Sequence, residues 1–167
     1  MKSVLFIPAR KGSTGIKGKN LVKLNGKPLM NYTLKICKKF PKKFITFVSS
    51  DSKKILKHVK NFGFKERYVR PEKISTSKSN VVDSVIHGVE WLKKEKKIEI
   101  EDIILLQPTS PLRKYSDLIK AYKIYKNKKI LSLTSVTKVR ENSLGHIKLS
   151  KNKQKWKFLY KTKKRLI

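Results

Sequence analysis

The stretch SVLFIPARKGSTGIKGKN, residues 3–20, decides the fold. Its apolar beginning, Ser3–Ile7, predicts a buried strand, which Pro8 closes before a loop that contains three glycines. Further apolar runs at 44–48, 102–106 and 130–136 alternate with stretches of helical period. This alternation is typical of βαβ units, so we expect an α/β fold with a mostly parallel sheet.

Four amphipathic segments predict helices between these strands. Their expected limits are Pro28 to about Phe40, Asp51 as N-cap to Gly63, Ser79 or Asn80 as N-cap through Leu92, and roughly Ser116 to Tyr125. In the third helix we expect Val82 and Ile86 on the buried face. A short strand is predicted near Tyr68 and Val69, and the strand 102–106 is expected to be buried on both sides.

The composition is strongly basic, with 43 Lys and Arg against 11 Asp and Glu and a formal net charge of +32. Lysines recur along nearly the whole chain, which favours solvated helix faces over a concentrated nucleic-acid surface. Binding to nucleic acid is therefore not expected to be the function. A charge of this size still attracts polyphosphate ligands from a distance.

Cysteine content and apolar run length indicate the compartment. Cys37 is the single cysteine, which excludes an intrachain disulfide, and no run approaches the roughly 20 apolar residues of a membrane span. We expect a cytoplasmic protein that does not contact a membrane.

The loop after the first strand has the composition of a phosphate site. Glycines allow backbone N–H groups to approach an anion, and Arg10 and Lys19 can donate charge-assisted hydrogen bonds to phosphate oxygens. The loop follows the carboxyl end of a predicted parallel strand, where α/β sheets bind their ligands. It matches neither the P-loop pattern nor Gly-x-Gly-x-x-Gly. The alternative is a flexible surface connection in a lysine-rich chain.

Several motifs occur in a fixed order along the chain. They are the opening loop with Lys19-Asn20, Gly26-Lys27-Pro28, Val48-Ser49-Ser50-Asp51, Arg70-Pro71-Glu72, and Leu105-Leu106-Gln107-Pro108-Thr109-Ser110-Pro111-Leu112-Arg113. Together they resemble the N-acylneuraminate cytidylyltransferases, which act on sialic, legionaminic and pseudaminic acids. The resemblance covers about residues 2–137.

The resemblance implies a Rossmann-like, three-layer nucleotidyltransferase sheet of the glycosyltransferase-A type, with a C-terminal β-hairpin arm. It implies transfer of CMP from CTP to a sialic-acid-type nonulosonic acid, with release of pyrophosphate and Mg²⁺ as cofactor. By position in the family motifs, Arg10 and Lys19 are the candidate catalytic residues. The candidate nucleotide-binding residues are Ala9, Arg10, Gly12, Ser13, Lys19, Asn20, Arg70 and Gln107, and Gln107 is also the candidate sugar-binding residue.

Simpler alternatives exist for individual residues. Arg70 before a proline could be a solvated strand end, and Gln107 could cap backbone groups in a proline-bounded loop. Arg113 is expected to support that loop instead of binding substrate, and Asp51 is expected to be a helix cap.

The carboxyl-terminal part follows the family less closely. We expect a nucleotide-binding domain at 1–137 and a β-hairpin arm at 138–167, in which Trp156, Phe158 and Tyr160 alternate with polar residues. Exposed aromatic residues on a lone hairpin favour a homodimer that covers them. Relatives carry a later Asp-x-Asp metal site, whereas no Asp-x-Asp occurs in residues 1–167, so no metal ligand is assigned.

Three functions remain open from the sequence. The first is the cytidylyltransferase, for which we expect either that the sequence is truncated before the metal segment or that the protein is naturally short. The second is a catalytically silent nucleotide-binding module that lacks the metal site. The third, suggested by charge alone, is a basic nucleic-acid-binding protein.

Overall fold

The computed structural model describes residues 1–13, 15–65, 68–128 and 130–136, together with the backbone of 147–149 and 156–158. The chain divides into two compact units, Met1–Ile124 and Tyr125–Ile167. The strands are β1 (Lys2–Pro8), β2 (Lys23–Leu24), β3 (Lys27–Pro28), β4 (Phe44–Ser49), β5 (Ile100–Leu105), β6 (Ile147–Leu149) and β7 (Trp156–Phe158). The helices are α1 (Leu29–Cys37), α2 (Lys53–Asn61), α3 (Val81–Lys96) and α4 (Tyr115–Asn127), with short 3₁₀ turns at Lys19–Leu21 and Glu72–Ile74.

The first unit is built on a parallel sheet in the order β4-β1-β5. Strand β1 lies in the centre and pairs in parallel with both neighbours, from Ser3 opposite Phe44 on one side to Phe6 opposite Leu105 on the other. Residues 4–7 of β1 are fully buried because both faces of a parallel sheet are covered. The predicted α/β class with a parallel sheet is confirmed.

Each face of the sheet packs against its own apolar cluster. Leu5 and Ile7 point to one face, where they join buried residues of α1 and α2. Val4 and Phe6 point to the other face, where they join Phe47 and the buried residues of a cluster that includes Leu92 of α3. Because successive side chains of a strand alternate between faces, one short strand serves both clusters and three layers result.

Helix α3 begins as predicted after its cap Asn80, but its predicted buried face is partly wrong. Val82 and Ile86 are about half exposed, and the buried stripe is Ser84, Gly88 and Leu92. The physical reason is close packing: α3 lies so near the sheet that a Cβ at Gly88 would meet Phe47 and Phe6. The small residues Ser84 and Gly88 therefore face the sheet together with Leu92, whereas Val82 and Ile86 do not.

The strand predictions are wrong at three places. Residues 68–70 form no strand, and 130–136 form none either. The predicted two-sided burial also fails for β5, where Ile103 and Leu105 are about 40 % exposed. Among the described residues β5 pairs with β1 alone, so it is an edge strand with no hydrogen-bonded strand on its other edge. An edge strand is covered by less of the protein than the central strand β1.

In the second unit, β6 and β7 form the predicted antiparallel hairpin, with Ile147 opposite Phe158 and Leu149 opposite Trp156. The predicted turn at 150–154 and Tyr160 lie outside the described residues, as does the proposed boundary region after 137. The division into domains at 137 stays a prediction. No helix among the described residues is both long and apolar enough to cross a membrane.

Candidate active site

A cleft of about 280 Å³ opens in the first unit where β1 and β4 end. This is the edge at which parallel α/β sheets bind ligands. Its lining residues come from four segments of the chain: Pro8, Arg10, Arg70, Ile74, Thr76, Ser77, Ser79, Asn80, Val81, Ser84 and Gln107. The structure therefore brings three of the predicted site residues together, Arg10, Arg70 and Gln107.

Arg10 enters the cleft wall directly from the end of β1. Ala9 is fully buried, and its N–H donates to the Ser49 carbonyl over 2.8 Å, so the pairing of β1 with β4 continues beyond the strand. The Arg10 guanidinium donates through Nη1 to the Thr76 carbonyl. This contact ties the predicted phosphate loop to the segment that leads into α3.

The peptide group between Arg10 and Lys11 is held from both sides. Its carbonyl accepts from Asn20 Nδ2 over 3.1 Å, and its N–H donates to Asp51 Oδ1 over 2.6 Å. Asn20 is buried in the 3₁₀ turn Lys19–Leu21, which Gly18 precedes with a φ of +65°. That positive φ is readily adopted by glycine, so Gly18 lets the chain turn and place Asn20 beneath the loop.

The predicted capping role of Asp51 is wrong. The N-cap of α2 is Ser52, whose Oγ accepts from the Ile55 N–H over 3.4 Å. Asp51 lies one residue earlier, and its carboxylate points across to the loop after β1. Sequence patterns could not separate these two neighbours, since Asp and Ser are both good N-caps.

Arg70 is a buried cation, only 5 % exposed. Its Nε donates to Ser49 Oγ over 2.9 Å, its Nη2 donates to the Ser49 carbonyl, and its own N–H donates to the Ser50 carbonyl. The alternative of a solvated strand end does not hold for this side chain. Burial lowers the pKa of Arg70, while Asp51 opposes this shift and Arg10 adds to it.

Gln107 lies just beyond β5 and also lines the cleft. Its carbonyl accepts from Arg113 Nη2 over 3.0 Å, so Arg113 supports the loop, as expected from the sequence. Arg113 Nη1 is buried without a hydrogen-bond partner, and burial lowers the pKa of its guanidinium. The Gln107 side chain itself is exposed at the cleft.

A hydroxyl-rich rim completes the cleft and was missed by sequence reasoning. The Thr76 N–H donates to Ser79 Oγ over 3.0 Å, and the hydroxyl oxygens of these two residues lie 2.8 Å apart. Asn80 Oδ1 caps α3 by accepting from the Val82 N–H over 3.0 Å. The polar run STSKSN at 75–80 is the sequence signal for this rim, although by composition it predicts only a helix cap.

Other predicted site residues do not line the cleft. Ala9 is part of the core, and Asn20 acts on the backbone of Arg10. Gly12, Ser13 and Lys19 lie on the loop outside the lining, with Gly12 exposed and the other two half-buried. Their roles toward a ligand stay predictions.

The described residues do not fit a protein-held Mg²⁺. Within residues 1–13, 15–65, 68–128 and 130–136, no group of three or more His, Cys, Asp or Glu side chains could hold a metal ion. None of the described carboxylates lines the cleft, and the Asp51 carboxylate accepts from the Lys11 amide. Magnesium prefers carboxylate oxygens together with phosphate and water.

Comparisons with known proteins agree with this fold. The chain is 31 % identical over 143 residues to the N-acylneuraminate cytidylyltransferase of Escherichia coli O18:K1:H7, covering 85 % of this chain and 33 % of that protein. It is 33 % identical over 141 residues to the CMP-N,N'-diacetyllegionaminic acid synthase of Legionella pneumophila, covering 82 % and 60 %. The chain thus spans about a third to three-fifths of the length of these relatives.

A solved structure shares the fold. The structure of a CMP:2-keto-3-deoxy-manno-octonic acid synthetase complexed with CTP superimposes with a TM-score of 0.63 at 24 % identity, over 78 % of this chain and 50 % of that one. The family model described as cytidylyltransferase matches residues 4–163, nearly the whole sequence. The chain therefore belongs to the cytidylyltransferase family.

Proposed function

We propose that this chain provides the nucleotide-binding part of a cytidylyltransferase that transfers CMP from CTP to a nonulosonic acid of the sialic, legionaminic or pseudaminic type. The observation that carries the proposal is the cleft at the carboxyl ends of β1 and β4, which Arg10, Arg70 and Gln107 line together. Family membership and the two relatives support the reaction type.

In the proposed reaction, a hydroxyl oxygen of the sugar acid forms a bond to the α-phosphorus of CTP. The bond from that phosphorus to the bridging oxygen breaks, pyrophosphate leaves, and the hydroxyl proton is released. Phosphoryl transfer depends mainly on positioning and charge neutralisation. Arg10 would neutralise phosphate charge, and Arg70, fixed on Ser49, would define the nucleotide side of the cleft.

Gln107 would face the sugar. Its amide both donates and accepts, and its backbone is fixed by Arg113, so the side chain presents two hydrogen-bonding groups from a held position. Lys19 would reach the triphosphate from the loop, as the resemblance implies. The Mg²⁺ expected from the resemblance would need ligands beyond those that the described residues supply.

The catalytically silent module remains the second candidate, because the described residues offer no metal-ligand group. Calorimetry separates the two. We expect CTP to bind at least tenfold more tightly than cytidine, and UTP to bind more weakly than CTP. Release of pyrophosphate on addition of N-acetylneuraminic acid would identify the transferase, whereas CTP binding without turnover would identify the silent module.

Arg10→Ala, with Lys11→Ala as the matched control, tests the phosphate role. Arg10→Ala should weaken CTP binding strongly and cytidine binding little, because cytidine carries no phosphate. The control removes a neighbouring exposed cation and should have a small effect on both ligands. Equal losses for CTP and cytidine in Arg10→Ala, or steep salt-dependent RNA binding without preference for CTP, would contradict the proposal.

We also propose that the hairpin of β6 and β7 mediates homodimerisation. Two strands of three residues each make a hairpin that is marginal in water without further packing. Sedimentation of the wild-type protein and of a Trp156→Ser, Phe158→Ser variant should show a dimer and a monomer, respectively.

A further inference from the structure

Asp51 and Asn20 act on a single peptide group. Asp51 Oδ1 accepts the Lys11 N–H over 2.6 Å, and Asn20 Nδ2 donates to the Arg10 carbonyl over 3.1 Å. The carbonyl of Arg10 and the N–H of Lys11 belong to the same planar unit, which has no internal rotation. Two hydrogen bonds on its opposite edges therefore fix the direction in which the loop leaves β1.

Asp51 lies in a part of the sequence that is otherwise rich in positive charge. No other Asp or Glu occurs among residues 1–65, although this segment contains Arg10, Lys11 and many further lysines. Asp51, two residues after the end of β4, is therefore the single acidic residue in a basic part of the sequence. In the structure Asp51 contacts the loop backbone, and its charge opposes the lowering of the Arg70 pKa by burial.

We propose that Asp51 is a positioning residue for the phosphate loop: together with Asn20 it clamps the Arg10–Lys11 peptide so that Arg10 faces the cleft. The inference rests on the proposed function of the cleft. Nothing in the clamp requires Asp51 to contact a ligand, since it acts through the peptide group that carries Arg10.

The expected size of the effect follows from the loop composition. A loop with glycines at 12, 15 and 18 has many accessible conformations. If a ligand requires one of these conformations, its apparent affinity falls in proportion as that conformation becomes less populated. A charge-assisted hydrogen bond is among the stronger ones in proteins. Removing it should lower CTP affinity by about tenfold or more.

The test compares Asp51→Ala, Asp51→Asn and the control Ser52→Ala by calorimetry with CTP and with cytidine. Asp51→Ala should bind CTP about tenfold more weakly and cytidine within about twofold of wild type. Asp51→Asn retains an oxygen acceptor at the same place and should recover most of the CTP affinity. Ser52→Ala removes the cap of α2 in the same turn and should leave CTP affinity within about twofold, even if the melting temperature falls.

Three results would overturn the clamp: wild-type CTP affinity in folded Asp51→Ala, no recovery in Asp51→Asn, or an equal loss in Ser52→Ala. Hydrogen exchange of the Lys11 amide, followed by NMR without ligand, gives a separate readout. This amide should exchange slowly in wild type and in Asp51→Asn and much faster in Asp51→Ala; equal exchange rates in all three would refute the clamp. Wild-type protein that does not prefer CTP would refute the proposed function instead, and the exchange rates would still decide whether Asp51 holds the peptide.

Discussion

Replacing Gly88 by alanine should destabilise the protein although alanine is the better helix former. Gly88 lies inside α3, where Gly→Ala alone would favour the helix by about 1 kcal/mol. The added Cβ would lie 2.7 Å from Cε1 of Phe47 and 2.8 Å from Cε2 of Phe6. Carbon atoms in contact normally lie about 3.5–4.0 Å apart. Both rings are almost fully buried, at 1 % and 0 % exposure, so neither can move into solvent.

The net effect follows from these two opposing terms. Overpacking of a core by one methyl group typically costs about 1–3 kcal/mol, and two simultaneous clashes place this site toward the upper end. After subtraction of the helix term, we expect a loss of about 1–2 kcal/mol, or roughly 2–8 °C in melting temperature for a chain of this size. Urea titration followed by circular dichroism measures the first quantity and calorimetric scanning the second.

A matched variant and a double mutant make the Gly88 prediction decisive. Gly12→Ala is the control, because a Cβ at Gly12 meets nothing within 4 Å, and it should leave stability nearly unchanged. Phe47→Leu combined with Gly88→Ala should show favourable coupling, since the smaller side chain relieves one of the clashes. Gly88→Ala protein at least as stable as wild type would refute the inferred close approach of α3 to the sheet.

Four further outcomes are expected. Lys19→Ala should weaken CTP binding far more than cytidine binding, whereas Lys17→Ala should change both little; equal losses for CTP and cytidine in Lys19→Ala would count against a phosphate role. Burial raises the pKa of the Cys37 thiol from 9.0 to about 12, so iodoacetamide should label it at pH 8 only as fast as the protein unfolds, and rapid native labelling would contradict this. As pH rises from about 9 toward 12, the unfolded thiol loses its proton first, so the contribution of Cys37 to stability should fall, and the wild type should lose stability relative to Cys37→Ala. Asp102 is buried and accepts from two hydroxyl groups, so Asp102→Asn should cost about 1–3 kcal/mol in urea unfolding, with Glu99→Gln as a near-neutral surface control.

The sequence was most informative where one physical signal dominated. The apolar run of β1 can be buried only in the centre of a sheet, and the loop after it combines glycine with cations, so both the parallel fold and the position of Arg10 could be predicted. Gln107 could be predicted to lie at the carboxyl end of a strand, because a proline-bounded loop directly follows a predicted strand. These features depend on residues that are close together in the sequence.

The errors arose where tertiary packing decides between locally similar options. Asp51 and Ser52 are equally good caps by composition, and only the approach of the β1 loop assigns the carboxylate to Lys11. The apolar pattern of α3 pointed to Val82 and Ile86, but the distance between helix and sheet selects Gly88 for the buried face. The approach of the β1 loop to Asp51 and the distance between α3 and the sheet both depend on residues far apart in the sequence. A window of a few residues therefore predicts neither of them.

The attachment of Arg70 to Ser49 has a consequence for how binding free energy is distributed. Two donors of its guanidinium are already engaged on the end of β4, so this side chain loses its rotational freedom when the protein folds and not when a nucleotide arrives. A ligand then meets a cation that is already oriented and largely stripped of water, and little entropy remains to be lost on association. Ser49→Ala, which removes the Oγ acceptor of Arg70 Nε and leaves the backbone carbonyl for Nη2, would transfer part of that entropic penalty from the folding step to the binding step.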